Sequence, residues 1–129
     1  MNLESPKVAT TKSSKEVFEF LTNLKNFEQL MPENTQKFEV DGNSFLFALK
    51  GMPEIRLELK EKIEFSTIIL GAASSKLPFT LTANITDVSE SESQVQLQFN
   101  GDFNPMMTMM VKNPLTKFIG VLAENISKI

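Results

Sequence analysis

Residues 94–129 read QVQLQFNGDFNPMMTMMVKNPLTKFIGVLAENISKI, and this stretch decides the fold. Residues 95–99 alternate between apolar and polar side chains, as in a strand with one buried face. Asn104-Pro105 then supplies an N-cap and a first-turn proline for a helix. The apolar residues beyond it recur at helical spacing: Met107, Val111, Leu115, Phe118, Leu122, Ile126 and Ile129. The stretch predicts a strand that leads into a long helix, which Asn113-Pro114 should kink or split in two.

Alternation of apolar and polar residues also governs the middle of the chain. The alternating or apolar runs are residues 38–40, 45–49, 55–65, 68–70, 79–85 and 95–103. Short polar segments separate them, and Asp41-Gly42-Asn43 offers a hairpin turn. Several short strands joined by short turns favour a meandering antiparallel sheet with one buried face.

The opening of the chain has a different pattern. Residues 4–12 favour a strand, and Ser13 with Glu16 three residues later matches a capping box. The apolar residues Val17, Phe18, Leu21 and Leu24 follow at helical spacing. A short second helix is predicted through residues 27–31, and Pro32 ends it.

The order of elements predicts an α+β fold. A curved antiparallel sheet of about seven strands exposes one apolar face, and the C-terminal helix is the one element long enough to cover it. One or two short helices follow the first strand. The sequence shows no internal repeat and no linker, so we expect residues 1–129 to form a single domain.

The composition excludes the commonest catalytic groups. The 129 residues contain no cysteine, histidine, tryptophan or tyrosine. A thiolate nucleophile, an imidazole base and a zinc site built on cysteine or histidine are therefore absent. The serines of Ser74-Ser75 and of residues 89–93 have no base partner and are typical of loops. We expect no metal and no cofactor.

Charge and hydropathy limit the kinds of partner and the location that the sequence allows. The chain has 13 basic and 16 acidic residues and one arginine, Arg56, which argues against a nucleic-acid partner. Its apolar stretches are far shorter than the roughly 20 residues of a membrane span. The N-terminus lacks the pattern of a secretory signal. We therefore expect no membrane span and a cytoplasmic location.

Three segments resemble the helix-grip superfamily, which includes START lipid-transfer domains, the birch-pollen allergen family and polyketide cyclases (collectively SRPBCC). Residues 8–21 resemble its first strand running into a helix, residues 26–32 the segment before the second strand, and residues 113–129 the closing helix. The resemblance covers essentially the whole chain. It implies a seven-stranded sheet wrapped around the C-terminal helix, with a cavity between them. Relatives use that cavity for lipids, hormones, polyketides or other apolar molecules, and some bind proteins instead.

The residues expected to line such a cavity are apolar and face the helix or the sheet. The predicted ligand-binding set is Phe45, Phe47, Leu57, Leu59, Leu70, Leu81, Ala83, Leu97, Phe99, Met107, Met110, Val111 and Phe118. All 11 aromatic residues are phenylalanine, so the interior offers few groups to orient a polar ligand. The four methionines within residues 106–110 cannot all face one way. Some of them must meet solvent, a ligand or a partner.

Within residues 55–65, Glu61 is the one charged residue at a position where strict alternation would point the side chain towards the interior. A carboxylate buried there would be a candidate acid or base. A bulge or the end of the strand would instead turn it towards solvent, which is the simpler explanation.

Three functions are compatible with these patterns. The leading hypothesis is non-covalent binding of an apolar or amphipathic, lipid-like small molecule between the sheet and the last helix, with residues 106–112 as a movable lid. The second is a protein-interaction module with a filled core and an exposed methionine and phenylalanine patch. The third is an enzyme of the cyclase or hydratase type that uses Glu61. The missing catalytic side chains favour binding over catalysis.

Overall fold

The computed structural model describes residues 1–52, 54–73 and 79–129. The elements in chain order are β1 (Asn2–Glu4), β2 (Val8–Thr10), α1 (Ser14–Thr22), a 3₁₀ helix (Leu24–Leu30), β3 (Thr35–Asp41), β4 (Ser44–Leu49), β5 (Ile55–Ile63), β6 (Thr67–Ala72), β7 (Phe79–Asp87), β8 (Ser93–Gly101) and α2 (Pro105–Ile126). The predicted loop at Ser74-Ser75 lies outside the described residues.

The strands form one antiparallel sheet in the order β1-β8-β7-β6-β5-β4-β3, and β2 also pairs with β8. The turn predicted at Asp41-Gly42-Asn43 is present, since Asp41 pairs with Ser44 and Gly42 adopts a φ of 62°. A positive φ at this position suits glycine, which has no Cβ to clash. The curved sheet and the long C-terminal helix confirm the predicted α+β, helix-grip class.

The described residues form eight strands because the predicted first strand is divided in two. Ser5 lies between the two pieces and is buried. Its backbone N–H donates to the carbonyl oxygen of Leu97 at 2.8 Å, while its hydroxyl accepts from the Leu97 N–H at 2.9 Å. The serine side chain thus replaces a backbone acceptor, and the edge of β8 stays hydrogen-bonded across the interruption.

Both predicted helical regions are present. The capping box is confirmed, with the Glu16 N–H donating to Ser13 Oγ and the Ser13 N–H donating to Glu16 Oε1, both at 3.2 Å. The predicted split of the last helix at Asn113-Pro114 is wrong, because α2 continues without a break from Pro105 to Ile126. Proline removes the N–H that would bond the Met110 carbonyl. This part of α2 is not fully buried, so water can replace the lost bond.

The strand β5 contains the predicted irregularity. Leu59 pairs with Leu70 but Glu61 pairs with Ile69, so Lys60 is an extra residue in the strand. The bulge reverses the parity of every residue after it. The expectation that alternation continues inwards to Ile63 is therefore wrong, since its side chain is 51% exposed. Phe65 lies in the turn after β5, where its ring packs edge-on against Phe18 of α1.

The core lies between the inner face of the sheet and α2. Phe47 on β4 stacks on Phe118 of α2, with ring centroids 4.8 Å apart. Phe27 of the 3₁₀ helix stacks on Phe45 at 4.9 Å. The buried apolar residues of the described chain belong to one continuous cluster, which joins all these elements.

Candidate functional site

Most of the predicted ligand-binding residues are buried in the core. The buried members are Phe45, Phe47, Leu57, Leu70, Leu81, Ala83, Leu97, Phe99, Val111 and Phe118, while Leu59 and Met107 are partly buried against them. Their contacts with one another include the Phe47–Phe118 stack and the tilted Phe45–Phe47 pair. At these positions the space between sheet and helix is occupied by side chains.

Met110 is the exception, and its predicted place in the interior is wrong. Its side chain is 65% exposed. On a helix with 3.6 residues per turn, Met110 lies well away from the buried face that carries Val111, Leu115 and Phe118. The methionine pair at 106 and 107 divides in the same way, with Met106 exposed and Met107 partly buried.

Glu61 also lies outside the interior. The bulge at Lys60 places it opposite Ile69, on the outer face of the sheet, where it is exposed. The bulge, which the sequence offered as the simpler explanation, is therefore present, and the alternative of an inward carboxylate is wrong because period-two counting takes no account of the extra residue. The enzyme hypothesis thereby loses the acid on which it was based.

A cleft of about 510 Å³ opens on one side of α2. Its lining residues are Met31, Pro32, Glu33, Asn34, Leu49, Pro114, Lys117, Phe118, Val121 and Asn125. We call it the lateral cleft, since it lies between α2 and the turn that follows the 3₁₀ helix. Its volume is within the range of small-molecule sites. Phe118 is the one member of the predicted ligand-binding set that lines it.

Hydrogen bonds hold both walls of the lateral cleft. On the helix side, Asn125 Nδ2 donates to the Leu30 carbonyl at 2.9 Å and ties α2 to the end of the 3₁₀ helix. On the turn side, Thr35 donates to the Pro32 carbonyl through its N–H and its hydroxyl, at 3.1 and 2.7 Å. The Lys50 N–H bonds the Asn34 carbonyl at 3.0 Å. The cleft is therefore largely formed before any ligand arrives.

The floor of the lateral cleft is apolar and its rim is polar. Phe118 and Leu49 are buried, while Met31 and Val121 are half-buried. Lys117 and Glu33 lie exposed at the rim. Among the described residues, no carboxylate lies within 4.0 Å of the Lys117 ammonium group. This arrangement suits a molecule with an apolar body and a polar end.

Sequence reasoning missed the lateral cleft because its residues come from distant parts of the chain. Met31 to Asn34 form a turn, Leu49 ends β4, and Pro114 to Asn125 belong to α2. No spacing in the sequence links these three segments. The one available signal was Pro32, which ends the preceding helix and opens the turn.

Two other depressions are less suited to an apolar ligand. One of about 500 Å³ is lined by Lys12, Glu16, Glu19, Phe20, Gln29 and Ile129, half of which are charged. The pKa of the Glu16 carboxyl at this depression is lowered most by the hydrogen bond from the Ser13 N–H and next by the one from the Ser13 hydroxyl. Burial raises this pKa, and Lys12 lowers it. The other, of about 650 Å³, is widely open to solvent and includes Asn2, Lys60, Thr80, Asn100 and Asp102.

The described residues contain no group of three or more acidic side chains that could hold a metal ion. Within the same residues, none of the helices combines the length and the apolarity needed to cross a bilayer.

No protein-family model matches the sequence, and no curated protein sequence is similar to it. Solved structures show the fold. The chain is similar to norcoclaurine synthase from Thalictrum flavum, with a TM-score of 0.76 at 11% identity over 99% of this chain and 84% of the other. It is similar to a START superfamily protein from Mycobacterium smegmatis, with a TM-score of 0.70 at 9% identity over 98% and 94%. A conserved protein from Geobacillus kaustophilus gives a TM-score of 0.69 at 10% identity over 99% and 93%.

Proposed function

We propose that the chain binds an apolar or amphipathic, lipid-like small molecule without forming a covalent bond. The observation that carries this proposal is the lateral cleft, with its apolar floor and its single ammonium group at the rim. The helix-grip fold, shared with a START superfamily protein, fits a ligand-binding role. A fold by itself does not choose a function, so the weight rests on the cleft. We place the protein in the cytoplasm and treat residues 1–129 as one domain.

The ligand is expected to lie along α2 rather than deep within the sheet. Phe47 and Phe118 already fill the space between β4 and α2. On the outer side of that stack, Phe118, Val121 and Met31 offer apolar surface to a molecule in the cleft. A hydrocarbon chain gains free energy in proportion to the apolar area it buries there, about 25 cal/mol per Å². Lys117 would bind the polar end.

Fluorescence titration tests the proposal directly. The chain has no tryptophan or tyrosine, so a dye such as anilinonaphthalene sulfonate is observed against a nearly dark protein. We expect saturable binding of the dye and its displacement by fatty acids, with affinity rising with chain length. Absence of saturable dye and fatty-acid binding would overturn the proposal.

A matched pair of variants locates the site. Val121→Glu places a carboxylate on the apolar floor of the lateral cleft, and we expect it to weaken binding at least tenfold, or about 1.4 kcal/mol. Thr116→Glu adds the same charge to the same helix at an exposed position outside the cleft. This control should bind as the parent does. Equal affinities for the two variants would place the ligand elsewhere.

A second candidate is a synthase-type enzyme. The observation in its favour is the likeness to norcoclaurine synthase, one structure of which is a complex with dopamine and hydroxybenzaldehyde. The titratable groups at the rim of the lateral cleft are Lys117 and Glu33. We rank this candidate second because Glu61, the acid that the sequence suggested, lies on the outer face. Incubation of the protein with pairs of amines and aldehydes tests this candidate. Product formation that is lost in the Lys117→Met variant would raise it above the binding function.

A further inference from the structure

The N-terminal half of α2 carries apolar residues on two opposite sides. Its inner side presents Val111 and Leu115 to the core, and both are buried. Its outer side presents Met106, Met109 and Met110, which are 75%, 83% and 65% exposed. We call these three residues the methionine ridge. A surface helix normally has a polar outer side, so an exposed apolar ridge indicates a surface that contacts a partner.

The ridge forms a continuous stripe. The positions 106, 109, 110, 113 and 117 follow the i, i+3, i+4, i+7 spacing of one helix face. Lys117 continues this stripe, and Lys112 lies beside Met109 at the next turn. The other large apolar side chains exposed in the described residues are Ile63, Phe65 and Val88, which belong to the end of β5, the β5–β6 turn and the loop after β7. The methionines are therefore the one apolar group concentrated on a single helix.

The charged residues of α2 that lie next to the ridge are both lysines. Between Asp102 and Glu124 the sequence has Lys112 and Lys117 and no acidic residue. The chain as a whole carries a net charge of -3. A basic segment on an acidic protein is complementary to an anionic surface and sets the orientation in which that surface is met.

We propose that the methionine ridge docks on an anionic lipid surface, with the methionine side chains among the acyl chains and with Lys112 and Lys117 at the headgroups. The helix would lie in the plane of the interface, as amphipathic interfacial helices do. A ridge of three flexible side chains is convex and narrow, whereas a stable protein interface needs a complementary patch of about 800 Å² on each partner. A bilayer needs no such complementarity.

A second copy of the chain is a poorer occupant. A two-fold symmetric contact brings the same patch together from both subunits. Where the two helices run parallel, Lys112 and Lys117 of one copy face those of the other, and no acid between Asp102 and Glu124 separates them. Like charges brought together in this way oppose association.

Vesicle sedimentation tests the proposal. The full chain is mixed with phosphatidylcholine vesicles that contain or lack phosphatidylglycerol, at low and at physiological salt. We expect binding to the anionic vesicles, weaker binding to the neutral ones, and a decrease with salt. Failure to bind anionic vesicles at low salt would overturn the proposal. A dimer that forms through the ridge in solution would overturn it as well.

Two variants separate the apolar and ionic contributions. Met106→Gln/Met109→Gln/Met110→Gln keeps side-chain length and helix propensity, and we expect it to bind at least about tenfold more weakly. Lys112→Gln/Lys117→Gln should bind about thirtyfold more weakly to anionic vesicles and unchanged to neutral ones. The controls are Ile63→Gln/Val88→Gln and Lys15→Gln/Lys25→Gln, which alter exposed residues elsewhere. Controls that bind as weakly as the ridge variants would contradict the assignment.

The docking proposal and the ligand-binding proposal fail separately. The triple glutamine variant alters no residue of the lateral cleft, so it should keep the dye and fatty-acid affinities of the parent in solution. Val121→Gln puts a polar group on the floor of the cleft and adds no charge beside Lys117, so it should weaken those affinities and keep vesicle binding. If the triple variant folds poorly, the single variant Met109→Gln replaces it in this test. We expect it to lose vesicle binding to an intermediate extent.

Discussion

The ring of Phe47 on β4 lies parallel to the ring of Phe118 on α2, with an angle of 12° between their planes and 4.8 Å between their centroids. This stack joins the two layers of the fold. It also separates the core, on one side of Phe118, from the lateral cleft, on the other. The same phenylalanine therefore contributes to stability and to the candidate site.

Truncation of the stack should destabilise the fold strongly. Phe47→Ala and Phe118→Ala each remove a buried ring, and we expect each to lower the free energy of unfolding by about 3–5 kcal/mol. Because the rings contact each other, the double variant should lose less than the sum of the single losses, by about 0.5–1.5 kcal/mol. Urea unfolding of the four proteins measures this coupling. Strict additivity would show that the rings do not share the contact described.

The capping box at the start of α1 should make stability depend on pH. Hydrogen bonds from Ser13 lower the pKa of Glu16 below its ordinary value of 4.5. A group whose pKa is lower in the folded state stabilises the fold above the unfolded pKa, and this contribution is lost as the pH falls through the folded pKa.

Comparison with Glu16→Gln isolates this effect. The parent should be the more stable protein at neutral pH, and the difference in the free energy of unfolding should shrink as the pH falls below 4.5. Glu19→Gln, an exposed carboxylate on the same helix without a capping role, is the control. Ser13→Ala should cost about 1 kcal/mol at neutral pH. A parent-to-Gln difference that does not change with pH would contradict the assignment.

Two glycines of the sheet should respond differently to alanine. A Cβ on Gly101 would lie 2.5 Å from Cε2 of Phe103, whose ring packs near Phe79 and Phe99. A Cβ on Gly71 would lie 2.8 Å from Cγ of Lys60, a flexible side chain that can move into solvent. We expect Gly101→Ala to cost about 1–3 kcal/mol and Gly71→Ala to stay within about 0.5 kcal/mol.

Thermal unfolding of the two variants checks this contrast. Adding Phe103→Leu to Gly101→Ala should recover part of the loss, because a smaller side chain leaves room for the methyl group. Equal losses of stability in Gly101→Ala and Gly71→Ala would contradict this contrast, because they would show that the ring of Phe103 moves aside as easily as the side chain of Lys60.

Local signals predicted most of the elements but not where they break. The Ser13–Glu16 capping box and the Gly42 turn each depend on neighbouring residues, and both are present as expected. The break at Ser5 depends on hydrogen bonds with Leu97, which is distant in sequence. Periodicity detects the alternation of β8 without showing that a serine hydroxyl takes part in its pairing.

The candidate site was predicted less well for the same reason. The alternation of apolar and polar residues correctly selected buried residues such as Phe45 and Leu57. The same alternation cannot distinguish a side chain that is buried by its neighbours from one that lines a ligand cavity. The lateral cleft depends on where the turn at Met31–Asn34 lies against α2. That placement follows from tertiary contacts such as the bond from Asn125 to Leu30, which no local pattern encodes.

Oxidation of the methionine ridge should weaken its attachment to lipid. With no cysteine, histidine, tryptophan or tyrosine, the methionines are the most readily oxidised side chains of the chain. Hydrogen peroxide transfers one oxygen atom to the thioether sulfur and leaves as water, which makes the side chain polar. The exposed Met106, Met109 and Met110 should react before the half-buried Met31 and Met107. Peptide mass spectrometry gives the order.

The oxidised protein should bind anionic vesicles about as weakly as the triple glutamine variant. Treatment with both methionine sulfoxide reductases and a thiol reductant should restore binding, because the two enzymes act on the two sulfoxide epimers. Met106→Leu/Met109→Leu/Met110→Leu is the control, since its ridge stays apolar and cannot be oxidised. Binding of this variant should survive peroxide. If peroxide weakens the leucine variant as much as the parent, the loss arises at one of the four remaining methionines, Met1, Met31, Met52 and Met107, and the ridge is not the contact with lipid.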